Sequence, residues 1–127
     1  MPESYSESAL RHSADADRLA ASSQFDGAGY LIGYAVECAI KQAIIATRSP
    51  PQAPRVHLPD LVEQAKKVLK GRRSVSMSLV LHSPMFMHGW QIELRYAGDG
   101  AVAVDQFQRW RKDANRALAA ANLRRQK

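Results

Sequence analysis

Apolar residues recur along this chain at three- and four-residue steps, interrupted by short polar or proline-rich stretches, which is the pattern of amphipathic helices. Tyr5, Ala9, His12, Ala16 and Leu19 make the first stripe and predict a helix that ends near Ser22, with these residues on its buried face. Ser22, Ser23 and Asp26 supply turn and capping groups. A longer helix follows from about Gly27 to Thr47, rich in Ala, Ile and Leu and free of proline. Within it Gly29 and Gly33 lie one turn apart, where the missing side chains allow a neighbour to approach closely, at a propensity cost of about 1 kcal/mol each. Gly27, Gly29 and Gly33 do not make a dinucleotide fingerprint, because the spacing is wrong and no βαβ unit surrounds them.

Pro50, Pro51 and Pro54 then predict an extended loop over 48–57. Pro59 suits an early helical position, Leu58, Leu61, Val62, Ala65 and Leu69 form the third stripe, and Gly71 is placed to end that helix. Between 74 and 90 the alternation of Val75, Met77, Leu79 and Leu81 with polar neighbours partly suits a strand, but a lone strand has nothing to pair with. A short helix and an irregular connection broken at Pro84 are expected instead. Phe107, Trp110, Ala114, Ala117, Leu118 and Ala121 mark a last helix from Val104 to Asn122, introduced by Gly98, Asp99 and Gly100. The expectation is an all-α, up-and-down bundle of four to five helices in one domain over 1–127, with its core at about 8–121 and a basic tail at 122–127.

Composition agrees with this reading: 127 residues of which 46% are hydrophobic can bury one core of moderate size. The single cysteine, Cys38, lies in an apolar helical pattern, so no intrachain disulfide can form and a reducing compartment is expected. Met1 to Leu10 shows no signal or transit peptide, and the uncharged run Gly27 to Val36 is roughly half of what a membrane crossing needs. A cytoplasmic protein without membrane contact is expected. Lys and Arg number 18 against 12 Asp and Glu, a net charge of +6 that favours an anionic partner. The excess is clustered at Lys66, Lys67, Lys70, Arg72 and Arg73, and again at Arg109, Arg111, Lys112, Arg116, Arg124 and Arg125. Each cluster is either a solvated helix face or a phosphate-binding surface.

Two groups of residues could carry chemistry. Glu37 and Lys41 are four apart, about 40° around a helix, and can pair as a surface ion pair or form a charged face looking into a groove. Trp90, Glu93, Arg95 and Tyr96 combine aromatic faces with a planar guanidinium suited to carboxylate or phosphate. Alternatively, Arg95 reaches back to Glu37 and locks two helices. The histidines form no metal or triad pattern, and no cofactor is implied. His57 can serve acid or base chemistry or simply pack at a helix start.

Three segments, Ala28 to Lys41 (AGYLIGYAVECAIK), His57 to Leu61 (HLPDL) and Trp90 to Tyr96 (WQIELRY), resemble in that order a HEPN domain, the higher eukaryotes and prokaryotes nucleotide-binding family of small helical bundles. The resemblance covers about Ser8 to Ala121. It implies RNA or nucleotide handling, a homodimer, and a place in a toxin–antitoxin or defence pair with an operon partner. Many members are metal-independent endoribonucleases that use an Arg followed, after four to six residues, by a His. Glu37 and Lys41 match the family's auxiliary pair, but here Arg95 is followed by Tyr96, Ala97, Gly98, Asp99, Gly100, Ala101 and Val102. Arg48 and His57, like Arg73 and His82, have eight residues between them. The resemblance thus leaves three functions: a binding module using Glu37, Lys41, Trp90, Arg95 and Tyr96; a homodimeric or operon-paired interaction protein; and a divergent ribonuclease in which His57 or His88 supplies the missing base beside Arg95 and Glu37.

Overall fold

A computed structural model describes residues 4–47 and 53–123. Among these are five α-helices, α1 (Tyr5–Ala21), α2 (Phe25–Ile45), α3 (Asp60–Val68), α4 (Val75–Leu81) and α5 (Val104–Ala120), with single-turn 3-10 segments at Arg72–Ser74 and Ile92–Tyr96. There is no strand among the described residues, and 74–90 resolves into α4 followed by turns. Most of the proline-rich loop, and Arg124 and Arg125 in the basic tail, lie outside the described residues. No helix among the described residues is long and apolar enough to cross a membrane.

The central element is α2, which packs against α1, α3, α5 and the 3-10 turn at Ile92–Tyr96. Its burial is nearly all round: Ala28, Ile32, Ala35, Val36, Ala39, Ile40 and Ile44 are fully enclosed, as expected for a helix with apolar residues on every face. The α1 helix is capped by Ser4, whose Oγ accepts the Glu7 amide at 3.4 Å, and the chain turns back into α2 after Ser22. The face α1 presents to α2 consists of Ala9, Ser13 and Ala16. The expected stripe is therefore rotated: Ser13 takes the central place, while Tyr5, His12 and Leu19 sit half-buried along the edge of the contact. Small side chains bring the two axes close, which leaves no room for an imidazole between them.

The pair is antiparallel and keeps one register throughout. Leu19 Cδ1 lies 3.1 Å from where a Cβ on Gly27 would stand, His12 meets Tyr34 with ring centroids 5.6 Å apart, and Lys41 Nζ lies 5.8 Å from the Tyr5 ring. Each step of seven residues along α1 thus matches seven in the opposite direction along α2.

Trp90 fixes the 82–96 region to the bundle. Its indole lies directly on Gly33, where a Cβ would fall 1.9 Å from Trp90 Cε2, and its Nε1–H donates to the Gly29 carbonyl at 2.9 Å. Gly33 is the socket for this ring, whereas the missing side chain of Gly29 makes room for Val102 and Trp110, at 2.9 and 3.0 Å from where a Cβ would stand. On the other side Trp110 donates through Nε1 to the His88 carbonyl at 2.9 Å, and Asp113 accepts the Met87 amide at 2.8 Å, so α5 grips the same connection. The N-terminus of α2 is tied in turn to the approach to α5: the Asp26 carboxylate accepts the amides of Gly100 at 2.8 Å and Val102 at 2.9 Å. Those two bonds, Val102 first, hold the Asp26 carboxyl below the usual carboxylate range.

Candidate nucleic-acid interface

One face of α2 escapes the core. Tyr30, Tyr34, Glu37 and Lys41 follow one another at steps of four, three and four residues, which aligns them in a single stripe along the edge facing α1 and the Trp90 region. Tyr30 Oη donates to Tyr34 Oη at 2.6 Å, and the two rings stack with centroids 4.8 Å apart. Trp90 stands edge-on to both, 6.1 Å from Tyr30 and 6.0 Å from Tyr34, so the buried indole is their support. Burial first, and then the Tyr30 hydrogen bond, push the Tyr34 phenol well above the ordinary tyrosine range; the Glu37 charge adds to the shift and Arg95 opposes it.

Arg95 and Tyr96 complete this end of the stripe. The Arg95 guanidinium lies 4.8 Å from the centroid of the Tyr96 ring, which is 76% exposed. The Arg95 pKa is raised above its ordinary value, chiefly by Tyr96; desolvation opposes this, and a hydrogen bond to the Tyr30 side chain and the nearness of Tyr34 reinforce it. The result is a guanidinium resting on the exposed Tyr96 ring, with the Tyr30 and Tyr34 phenols near enough to act on its charge. Trp90 does not share that exposure: at 1% it is a core residue and offers no face on which a base could stack.

Glu37 occupies a different environment from its neighbours in the stripe. It is 3% exposed, with Oε1 accepting the Leu58 amide at 2.9 Å and Oε2 lying 3.1 Å from His57 Nδ1. Its oxygens are therefore taken by the start of the third helical segment rather than by Lys41 or Arg95, and no ion pair joins it to either among the described residues. A buried carboxylate needs such donors, which explains how Glu37 can stand in the most apolar helix of the chain. His57 covers it and is half exposed. Lys41 turns toward Tyr5 on α1. His12, next along α1, has its pKa lowered by burial and secondarily by Arg11, with Asp15 opposing, which favours a neutral ring beside Tyr34.

The structure thus brings Glu37 to His57, Arg95 to Tyr96, and both pairs onto the edge of α2. Tyr30, Tyr34, Tyr5 and His12 belong to the same edge but do not stand out in the sequence, where the tyrosines look like core residues of an apolar run. For Tyr30 and Tyr34 the signal was the four-three-four spacing with Glu37 and Lys41. The basic clusters are less uniform than their composition implies. Arg111 pairs with Asp17, Arg116 lies 3.8 Å from Asp113 and 3.3 Å from Ser83 Oγ, Lys66 lies 3.3 Å from Glu63, and Arg109 donates to Gln106 at 3.3 Å. Lys67, Lys70, Arg72 and Arg73 are exposed around the end of α3. Among the described residues no group of three His, Cys, Asp or Glu side chains could hold a metal ion. Comparison with protein-family models, curated proteins and solved structures gave no match.

Proposed function

We propose that this chain is a HEPN-like module that binds RNA or a nucleotide at the surface formed by Arg95, Tyr96, Tyr30 and Tyr34. The observation that carries the reading is the Arg95–Tyr96 pair: a guanidinium held over an exposed ring, with two further phenols beside it. The guanidinium offers planar donors to a phosphate, and the open Tyr96 ring offers a face to a base; such stacking contributes about 1–3 kcal/mol per base. The net charge of +6 draws an anionic ligand toward the protein. The sequence resemblance adds a homodimer, or a partner from a neighbouring toxin–antitoxin or defence gene, and light scattering on the purified protein tests the first of these.

Fluorescence polarisation with a labelled single-stranded RNA, competed by free nucleotide, tests the site. Arg95→Ala and Tyr96→Ala are each expected to weaken binding by about 5- to 100-fold with the melting temperature unchanged. Wild-type affinity in both variants would overturn the reading. A second function is favoured by one specific contact: Glu37 engages His57 Nδ1, which leaves Nε2 as the remaining ring nitrogen, the arrangement of a carboxylate-oriented base. Cleavage of RNA in the presence of chelator, lost in His57→Ala, would establish the divergent ribonuclease, and intact RNA across conditions would exclude it.

A further inference from the structure

The α1–α2 edge continues well past Arg95 and Tyr96, and its far end carries a second cation on an aromatic. Lys41 Nζ lies 5.8 Å from the Tyr5 ring, a counterpart to Arg95 over Tyr96. Between the two ends stand Tyr30 and Tyr34, then His12 against Tyr34, then His57 over the buried Glu37. Tyr30 and Lys41 are eleven residues apart on one helix, about 16 Å at the α-helical rise. The one acidic side chain of the stripe, Glu37, is withdrawn beneath His57 and bound by the Leu58 amide, so its charge is not presented along the edge. A line of aromatic and imidazole rings with a cation at each end suits a ligand that repeats phosphate and base.

We infer that the ligand is a single-stranded oligonucleotide laid along the α1–α2 edge, with one subsite at Arg95 and Tyr96 and a second at Lys41 and Tyr5, rather than a mononucleotide. This rests on the RNA-binding reading and adds to it the length and direction of the footprint. A span of about 16 Å holds roughly three to five nucleotides, given about 3.4 Å per nucleotide in a stacked strand and more when it is extended.

The experiment measures binding of uridine monophosphate and of labelled oligouridines of increasing length to the whole chain. Affinity is expected to rise at least tenfold between the mononucleotide and about five nucleotides and to level off beyond. Lys41→Gln should remove most of that gain while leaving mononucleotide binding unchanged, and lower the salt slope by about 0.7 for the lost phosphate contact. Lys41→Arg should retain the gain, and Tyr5→Leu, which keeps an apolar side chain against α2, should weaken only the longer ligands. A mononucleotide that binds as tightly as the pentamer, or a length dependence untouched by Lys41→Gln, overturns the inference and leaves Arg95 and Tyr96 as a nucleotide site. Oligonucleotide affinity unchanged in both Arg95→Ala and Tyr96→Ala overturns the proposed function at this surface itself.

Discussion

Gly33→Ala is the substitution whose sign separates local preference from packing. In an isolated helix the change is favourable by about 1 kcal/mol, since alanine restricts the unfolded chain and suits the helix better. In the folded protein the new methyl would lie 1.9 Å from Trp90 Cε2, 2.1 Å from Nε1 and 2.4 Å from Cζ2. All three atoms belong to a rigid ring enclosed at 1% exposure, so the indole must move as a unit. Such overpacking costs about 1–3 kcal/mol. The movement also breaks the bond from Trp90 Nε1 to the Gly29 carbonyl, leaving buried polar groups unsatisfied at about another 1–3 kcal/mol. Setting the gain against both costs gives a net loss of about 3 kcal/mol, or a melting temperature lower by about 12 °C for a domain of this size. Urea denaturation followed by circular dichroism and by tryptophan fluorescence measures it. In a Trp90→Leu background the obstacle is gone, and Gly33→Ala should become neutral or stabilising by up to about 1 kcal/mol. A Gly33→Ala protein as stable as wild type, or an equal loss in both backgrounds, would refute the packing argument.

Glu37→Ala strips the buried Leu58 amide of its acceptor and is expected to cost about 1–3 kcal/mol, whereas Glu37→Gln retains an oxygen and recovers most of that; urea midpoints and hydrogen exchange at Leu58 compare them. Asp26 has a folded-state pKa below its unfolded value, so its contribution is present at neutral pH and is lost as pH falls through the folded value. The urea midpoint of wild type should therefore drop more between pH 7 and about 3 than that of Asp26→Asn, and parallel curves would show that the Gly100 and Val102 contacts carry no charge dependence. For binding, Arg95→Ala tests the near end of the proposed strand and Lys41→Gln the far end.

The course of the helices was legible because it is a local property. The apolar steps in 5–21, 60–68 and 104–120 mark α1, α3 and α5, and the proline-free apolar run marks α2. The glycine pair Gly29 and Gly33 was readable as a place of close approach, but not what approaches: Trp90 at Gly33, and Val102 and Trp110 at Gly29, all come from more than fifty residues away, and Trp90 looked from its own neighbourhood like part of a binding surface. Glu37 posed the same difficulty. Four-residue spacing nominated Lys41 as its partner, yet fixed donors from His57 and Leu58 satisfy a buried carboxylate without fixing a long flexible side chain.

On the α1–α2 edge, spacing alone determined that Tyr30, Tyr34, Glu37 and Lys41 share a stripe, because helix periodicity is set by the backbone. Which of them stay at the surface was decided by the small residues Ala9, Ser13 and Ala16, which draw α1 close and displace Tyr5 and His12 onto the same edge. It was decided also by Trp90, which fills the adjoining socket and leaves Arg95 and Tyr96 facing outward. Helix period acts through neighbours in the chain. Exposure depends on volumes contributed from distant segments, and those meet only once the bundle has formed.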